Sequence, residues 1–399
     1  MDSADVIIIG GGIAGTSAAF HLAERGRSVT LIERGAIASE ASGVNAGGIG
    51  ALGWGNVPDL ESHLTMGSLQ IFKRLQLELG YDIEFRGSGG LQAIQTAEQY
   101  EFARDRVLSL KSRGYVAELL TVDEARAIEP ELSPSVRGAM YFPLRGQADP
   151  VKATRAFADA ASDQGAAILT DREVIDITQT SEGVYHVVCT EGTFRARHLV
   201  LAAGAWCAPL GRMLGVNIPV VPVRGQMWAT EPLPPRVFHG LSGAESYAWW
   251  SGNPGAGPET PPELTHLGDR RVTRHLYGRQ TRDGEVIFGG DRQLVGYDRT
   301  VDAGGVEANF AHTAEILPFL NGVSISRAWS GLMPFSLDGK PIIGKIPGLE
   351  NLYIVTGLAS SGFGRGPMAG KLIAECLHTG HRPHVLAESD PSRCVMPLP

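Results

Sequence analysis

Three glycines near the start of the chain have the spacing that a phosphate-binding turn requires. Gly10, Gly12 and Gly15 follow an apolar run and precede an alanine-rich segment. The first permits a tight strand-to-helix turn, the second lets the backbone approach a pyrophosphate, and the third lets the helix pack on the sheet. Glu33 ends the next apolar run, where a carboxylate can bind an adenosine ribose. The pattern predicts a dinucleotide site, which its flanking residues complete: Ile13, Ala14 and Arg34.

A second strand, glycine loop and helix pattern lies near the other end of the chain. Residues 351–356 are predicted to form a strand, residues 357–364 form a glycine-containing loop, and a helical apolar pattern follows. A helix N-terminus stabilises negative charge, such as that of the N1–C2=O edge of a reduced flavin. An alternative is a strand–helix crossover that binds no ligand. The residues expected to contact the cofactor here are Ser360, Ser361, Gly362, Phe363 and Gly364.

The elements between these loops are expected to hold them at one sheet. Further strands are predicted at 167–170, 184–189 and 194–202. Helices are predicted at 66–80, 97–114 and 151–164. From about residue 218 to 297 short β-rich runs dominate, including 274–280 and 285–290 around an Asp-Gly turn. This region is predicted to be an antiparallel sheet inserted between two parts of the nucleotide domain.

Composition excludes several classes of protein. The 399 residues carry a net charge of −8, which does not favour binding to nucleic acid or to an anionic membrane. No apolar run approaches the length of a membrane span. The first strand begins so close to Met1 that we expect no signal peptide. The four cysteines form no CxxC pair, so neither structural metal nor a disulfide framework is expected, and a cytoplasmic location is predicted.

Six blocks in chain order resemble the D-amino-acid oxidase, glycine oxidase and sarcosine oxidase family of flavoproteins. They are the glycine motif with Glu33 and Arg34, and residues 41–49, 146–150, 170–174, 201–206 and 328–344 with 357–364. The resemblance implies that residues 41–49 pass along the flavin ring and that 170–174 form a strand contacting adenine. The further cofactor-binding residues that it implies are Ser42, Gly43, Asn45, Ala46, Gly47, Gly48, Ile49, Val174, Ala203, Gly204, Trp206 and Gly331.

The predicted fold is therefore α/β with an α+β insertion. A Rossmann-type FAD-binding domain is expected to comprise residues 1–85, 140–215 and 325–399. An inserted antiparallel-sheet substrate domain is expected to comprise residues 86–139 and 216–324.

The resemblance also implies that bound FAD oxidises a carbon–nitrogen bond of an amine or amino acid. The carbon next to nitrogen would deliver a hydride to flavin N5, and water would hydrolyse the resulting imine. No protein acid or base is required if the amine arrives neutral, so no catalytic side chain is nominated. Relatives that tether FAD use a cysteine or a histidine at the positions of Gly331 and Asn45, so non-covalent FAD is expected. Oxygen or another acceptor would reoxidise it.

The substrate residues depart from the family pattern. Met333 stands where many members place an arginine that binds the substrate carboxylate, whereas Tyr277 matches a family substrate tyrosine. Arg279, two residues later on the same strand face, could supply the missing cation or could face solvent. Several aromatic residues could wall the pocket or lie in the core: Trp228, Tyr247, Trp249 and Trp250. Three histidines without metal spacing are left unassigned: His239, His266 and His275.

Two alternative functions use the same scaffold. A 2-hydroxy acid could donate the hydride instead of an amine. The chain could also be a flavin-bearing subunit that passes electrons to a partner chain. Self-association into an oligomer is compatible with each of these functions. A disulfide reductase is excluded, because it would need a second GxGxxG motif and a redox CxxC pair.

Overall fold

The computed structural model describes residues 2–245, 266–267, 270–271 and 275–398. Within these residues two eight-stranded sheets carry most of the strands. The helices are α1 (Ile13–Ala23), α2 (Leu60–Leu77), α3 (Ala97–Ser112), α4 (Val122–Ile128), α5 (Pro150–Asp163), α6 (Cys207–Met213), α7 (Ala303–Ile316) and α8 (Gly362–Thr379).

The first sheet is the predicted Rossmann-type sheet. Its strands are β1 (Asp2–Ile9), β2 (Val29–Ile32), β8 (Ala167–Leu169), β9 (Val174–Gln179), β10 (Tyr185–Cys189), β11 (Thr193–Leu201), β20 (Ile342–Lys345) and β21 (Leu352–Thr356). The order β21-β11-β1-β2-β8 is parallel throughout, whereas β20 adds to β21 in the antiparallel direction. The hairpin of β9 and β10 extends from β11.

Strand β1 is apolar along its length because both of its faces are covered. Val6 and Ile8 belong to the core beneath α1, α5 and α8, and Ile7 and Ile9 belong to the core on the other face. Every residue of α1 is buried, since α1 packs against both α5 and α8. The parallel strands β1, β2, β11 and β21 therefore end at one edge, where ligands of such sheets bind.

The second sheet covers this edge. Its strands are β4 (Gly90–Ile94), β5 (Glu118–Leu120), β6 (Gly138–Phe142), β13 (Val220–Thr230), β14 (Gly240–Gly243), β17 (Tyr277–Gln280), β18 (Val286–Gly289) and β19 (Ile325–Ser336), in the order β19-β13-β18-β17-β14-β4-β6-β5. It is antiparallel except where β14 runs parallel to β4, so the expectation of a wholly antiparallel sheet is wrong at that pair. Strands β13 and β19 pair from Val220 and Ser336 to Thr230 and Ile325.

Three two-stranded ladders complete the described strands. They are β3 (Gly48–Ile49) with β7 (Gly146–Gln147), β12 (Val216–Asn217) with β22 (Met396–Pro397), and β15 (His266–Leu267) with β16 (Arg270–Arg271).

Local signals explain where two of the helices begin. Helix α2 begins at Leu60 and not at residue 66, because the Asp59 side chain accepts a hydrogen bond from Ser62 N at 2.8 Å and caps the helix. Asp149 caps α5 in the same way, and Pro150 occupies the first helical position. The predicted helix at 97–114 and the strand pairs between residues 167 and 202 agree with the structure within three residues.

The division of the chain into two units stays a prediction, and the sheets show how the segments are distributed. Residues 138–142 form β6 and residues 325–336 form β19, and both strands lie in the second sheet. The predicted boundary at 140 thus falls inside β6. The predicted FAD-binding unit also includes β19, which pairs along its length with β13 of the substrate unit. Sequence periodicity does not reveal which sheet a strand joins.

Candidate active site

One cavity of about 700 Å³ runs between the edge of the first sheet and the second sheet. Glu33, Arg34 and Val174 line one end, which we call the nucleotide end. Tyr277 and Met333 line the other, which we call the substrate end. The structure thus brings residues that are far apart in the chain to a single elongated site.

The glycine turn after β1 leaves no space for side chains. Gly10 has φ of +120°, and a Cβ atom there would lie 2.5 Å from the Ala202 carbonyl oxygen. A Cβ atom on Gly15 would lie 2.1 Å from the Gly10 carbonyl oxygen, so Gly15 permits the close helix packing that its position predicted. Gly12, Ile13 and Ala14 line the cavity at the N-terminus of α1. Ser42 Oγ lies there too and accepts a hydrogen bond from Ile13 N at 2.9 Å.

Glu33 lies at the end of β2 and faces this turn. Its Oε2 accepts from Gly11 N at 2.6 Å, and its Oε1 accepts from Gly35 N at 2.9 Å. These two hydrogen bonds fix the carboxylate at the cavity wall, where its remaining lone pairs can accept hydrogen bonds from hydroxyl groups. Arg34 pairs with Glu40 at 2.6 Å, and its guanidinium carbon lies 3.9 Å from the centre of the Trp206 ring.

The other predicted nucleotide residues meet Glu33 at the same end: Val174, Ala203, Gly204 and Trp206. One expectation about their context is wrong. Residues 170–173 form the connection between β8 and β9, and only Val174 lies in a strand. Asp171 has φ of +57° in this connection, which breaks the extended conformation.

The loop at residues 41–49 divides into lining residues and shaping residues. Ser42, Asn45 and Gly48 line the cavity. Asn45 also holds the turn, because its Oδ1 accepts from Gly47 N at 2.7 Å and its Nδ2 donates to the Ala41 carbonyl oxygen at 3.0 Å. The other predicted residues of this loop do not line the cavity: Gly43, Ala46, Gly47 and Ile49.

Two of those glycines nevertheless have a steric role in the loop. A Cβ atom on Gly43 would lie 2.0 Å from the Ala38 carbonyl oxygen, and one on Gly47 would lie 1.9 Å from the Ala148 carbonyl oxygen. Their contribution is therefore to let the loop pass close to its neighbouring backbone.

The loop before α8 lines the middle of the cavity with all five of its predicted residues: Ser360, Ser361, Gly362, Phe363 and Gly364. Helix α8 begins at Gly362, and no side chain caps its N-terminus. Pro367 lies in the second turn of α8, and its carbonyl oxygen accepts a hydrogen bond from Ser17 Oγ at 2.7 Å. The uncapped amides at this N-terminus are available to an anionic group.

The predicted tethering position Gly331 lies outside the cavity lining, in β19. A Cβ atom on Gly331 would lie 2.2 Å from Val44 Cγ2, so a side chain at this position would require the Val44 side chain to shift. The four cysteines belong to the part of the chain that the structure describes, and none of them lines the cavity.

At the substrate end the structure separates two residues that the sequence placed together. Tyr277 lines the cavity beside Met333, and burial raises the pKa of Tyr277 to about 12. Arg279 does not line the cavity, and its Nε donates to the Ala46 carbonyl oxygen. Tyr277 and Arg279 do lie on the same face of β17. They are about 6.6 Å apart along the strand, however, and Arg279 therefore lies behind the 41–49 loop. The structure therefore does not place Arg279 where it could bind substrate.

Two polar residues that the sequence analysis did not select line the substrate end. Arg292 is 6% exposed, and its Nη2 donates to Ser360 Oγ at 3.0 Å. Burial lowers the pKa of Arg292 to about 10, so the guanidinium is charged at neutral pH. Burial also lowers the pKa of His275 well below its usual value, so its imidazole is neutral there. The sequence feature that could have identified Arg292 is the charged pair of Asp291 and Arg292, which comes shortly after the end of the apolar strand β18.

The remaining candidates lie elsewhere. Trp228 is fully buried in the second sheet, stacks on Phe288 and donates to Asn309 Oδ1 at 2.7 Å, so it belongs to the core. His239 Nδ1 lies 2.9 Å from Glu129 Oε2, away from the cavity. Three predicted aromatic residues and the His266 side chain fall outside the described residues: Tyr247, Trp249 and Trp250.

The described residues show no sign of a metal centre or of a membrane span. They contain no group of three or more His, Cys, Asp or Glu side chains that could hold a metal ion. The described helices include none that is both long enough and apolar enough to span a membrane.

The parallel sheet, the glycine turn and the cavity at the sheet edge define a dinucleotide-binding protein. The chain belongs to the family of FAD-dependent oxidoreductases, whose model matches residues 5–376. It is therefore an enzyme with FAD as its cofactor. The glycine turn, which one Cβ atom would fill, and the fixed Glu33 carboxylate fit that cofactor.

Three comparisons describe the similarity. Glycine oxidase of Geobacillus kaustophilus is 30% identical over 93% of this chain and 92% of that protein. A crystal structure of glycine oxidase from the same organism has a TM-score of 0.84 at 27% identity, with 98% of this chain and 99% of that one covered. The structure of L-proline dehydrogenase from P. horikoshii has a TM-score of 0.83 at 27% identity and covers 98% of both chains.

Proposed function

We propose that this enzyme oxidises a carbon–nitrogen bond of an amine or amino acid. The observation that carries the proposal is the single cavity that joins the glycine turn to a chamber containing Tyr277, Met333 and Arg292. The names of the two kinds of relative, glycine oxidase and L-proline dehydrogenase, support the substrate class. Both names specify an amino acid whose nitrogen is bonded to a carbon that also carries a carboxylate.

The cofactor would lie along the cavity in one direction. Glu33 would accept hydrogen bonds from the adenosine ribose, and the turn at residues 10–15 would bind the pyrophosphate. The 41–49 loop and the 357–364 loop would contact the flavin ring from two sides. We propose that FAD is bound non-covalently, because Gly331 and Asn45 have no group that could form the tether.

Bound FAD supplies a two-electron acceptor, so that the amine carbon can lose a hydride and the product imine can be hydrolysed by water. The chain positions the substrate and excludes water from it. Tyr277 remains protonated across the neutral range and can donate a hydrogen bond, because burial raises its pKa to about 12. Met333 and Phe335 present apolar surface at the same end of the cavity. No side chain is assigned a proton-transfer role.

An anaerobic reduction screen tests this function. The FAD-loaded enzyme is mixed with matched panels of primary amines, secondary amines, amino acids and 2-hydroxy acids, and flavin bleaching is followed. We expect bleaching by members of the amine or amino-acid panels. Bleaching by hydroxy acids alone would overturn the proposal in favour of alcohol oxidation.

The mode of cofactor binding is tested on the same preparation. Acid precipitation should release intact FAD into the supernatant, and flavin retained in the pellet would contradict non-covalent binding. Reoxidation of the bleached enzyme by oxygen is compared with reoxidation by a dye. Reoxidation by the dye alone, with a second polypeptide in the purified material, would favour the flavin-bearing subunit.

A further inference from the structure

We infer that Arg292 and Ser360 form the receptor for a substrate carboxylate, in place of the arginine that is absent at position 333. The inference deepens the proposed function and rests on it. It names the substrate class as amino acids that keep a free carboxylate, and it assigns their recognition to a residue outside the family blocks.

The backbone after β18 directs Arg292 into the cavity. Gln293 pairs with Arg224 of β13 through two backbone hydrogen bonds of 3.0 Å. The side chains on either side of Arg292 are held at β13, since Asp291 Oδ2 accepts from Gln226 Nε2 at 2.9 Å and Gln293 Oε1 accepts from Arg224 Nε at 2.9 Å. Side chains alternate along an extended segment. Arg292 therefore points to the opposite side, where it lines the cavity.

Arg292 and Met333 occupy neighbouring space although they come from different strands. A Cβ atom on Gly225 of β13 would lie 3.0 Å from Met333 Cε and 3.4 Å from the Asp291 carbonyl oxygen. The Met333 side chain thus extends across Gly225 to the backbone that carries Arg292. Phe335, two residues after Met333 on β19, lies beneath Arg292, with 5.5 Å from the guanidinium carbon to the ring centre. The Arg292 guanidinium can therefore bind an anion in the part of the cavity that an arginine at position 333 would occupy.

The chemistry of the pair suits a carboxylate. A guanidinium has five N–H donors in a fork that matches the two carboxylate oxygens. Ser360 Oγ accepts one of them and can donate its own proton to the same anion. A guanidinium–carboxylate contact of this kind is a charge-assisted hydrogen bond, which is roughly twice as strong as a bond between neutral groups.

Five other arginines also line the cavity: Arg34, Arg106, Arg145, Arg172 and Arg365. Two lining carboxylates already have cationic partners, since Glu61 lies 2.5 Å from Arg365 and Glu40 lies 2.6 Å from Arg34. Ser360 belongs to the loop before α8, so the Arg292–Ser360 contact sets the carboxylate receptor beside the loop proposed for the flavin ring. A bound amino acid would then have its carboxylate at Arg292 and its nitrogen-bearing carbon close to the ring.

The test compares Arg292→Met, Arg292→Lys and the double variant Arg292→Met/Met333→Arg with wild type. Arg327→Met is the matched control, because Arg327 is exposed on β19 and pairs with Glu285 away from the cavity. The first readout is equilibrium binding of acetate and of its neutral counterpart acetamide, followed by the absorbance change of the bound flavin. We expect Arg292→Met to weaken acetate binding at least about tenfold and to leave acetamide binding unchanged. The double variant should recover part of the acetate affinity.

The second readout is anaerobic flavin reduction by amino acids and by the amines that lack their carboxylate, such as proline and pyrrolidine. Arg292→Met should lower the second-order rate constant of flavin reduction by the amino acid at least about tenfold relative to that by its amine. Equal losses for both members of a pair would overturn the inference, because they would place Arg292 on the flavin. Unchanged acetate affinity would also overturn it. Failure of every amine to reduce the wild-type flavin would instead defeat the proposed function and leave the acetate result interpretable.

Discussion

The two ends of the cavity are built from different parts of the polypeptide. The nucleotide end is mainly backbone, because Gly10 and Gly15 leave no space for side chains in the turn at residues 10–15. The substrate end is mainly side chain, and its groups come from β17, β19, the segment after β18 and the loop before α8. A site made of local backbone tolerates few residue types, and so its sequence is recognisable. A site made of converging side chains can use one cation at several positions, as Met333 and Arg292 illustrate.

The strongest test of this comparison is a single added methyl group at the nucleotide end. A Cβ atom on Gly15 would lie 2.1 Å from the Gly10 carbonyl oxygen, so Gly15→Ala must displace either α1 or the turn. We expect the purified variant to contain almost no flavin. The flavin-to-protein absorbance ratio measures this.

Gly322→Ala is the matched control, since Gly322 is exposed and a Cβ atom there would meet nothing within 4 Å. It should retain the wild-type ratio. A Gly15→Ala protein that holds a full complement of FAD would show that this turn does not govern cofactor binding.

The next largest effect is expected for Glu33→Ala. Loss of charged hydrogen bonds to the adenosine ribose, at about 1.5–3 kcal/mol each, should weaken FAD binding more than tenfold. The apoprotein is titrated with FAD and with FMN, which lacks the adenosine. The FMN affinity should change much less than the FAD affinity. Unchanged FAD affinity would contradict the placement of the ribose at Glu33.

The smallest effect on specificity is expected for Arg279→Met, which distinguishes the role of Arg279 from that of Arg292. Arg279 is buried behind the 41–49 loop and donates to Ala46, so its loss should lower the melting temperature by several degrees. The ratio of flavin reduction by an amino acid to that by its amine should stay as in wild type. Arg282→Met, at an exposed position, controls for the loss of charge. If that ratio changed as much as expected for Arg292→Met, Arg279 would be the residue that binds the substrate carboxylate.

Much of the fold could be predicted because its determinants are local. The apolar run at Val6–Ile9 must be covered on both faces, and the structure covers it. The start of α2 was missed by six residues because the cap at Asp59 precedes the apolar periodicity. The parallel pair of β14 and β4 could not be foreseen, because short β-rich runs do not specify their partners.

The substrate end shows where local patterns stop being sufficient. The sequence selected Tyr277 and Met333 as substrate-binding residues, and both line the cavity. It selected Arg279, which has the right charge and lies on the right strand face, over Arg292, which follows a strand end. Trp228 has the size of an aromatic residue that could wall a pocket, but it fills the core between Phe288 and helix α7. There its indole N–H donates a hydrogen bond to Asn309.

The sequence by itself determined the glycine turn, the strands that end there, the carboxylate at Glu33 and the absence of an arginine at position 333. Each of these depends on residues within a few positions of one another, where backbone sterics act directly. Only the tertiary structure decided that Arg292, and not Arg279, lines the cavity. Arg292 points inward because its neighbour Gln293 is fixed to Arg224, 69 residues away in the chain, and a contact across that separation exists only when β13 and β18 are paired.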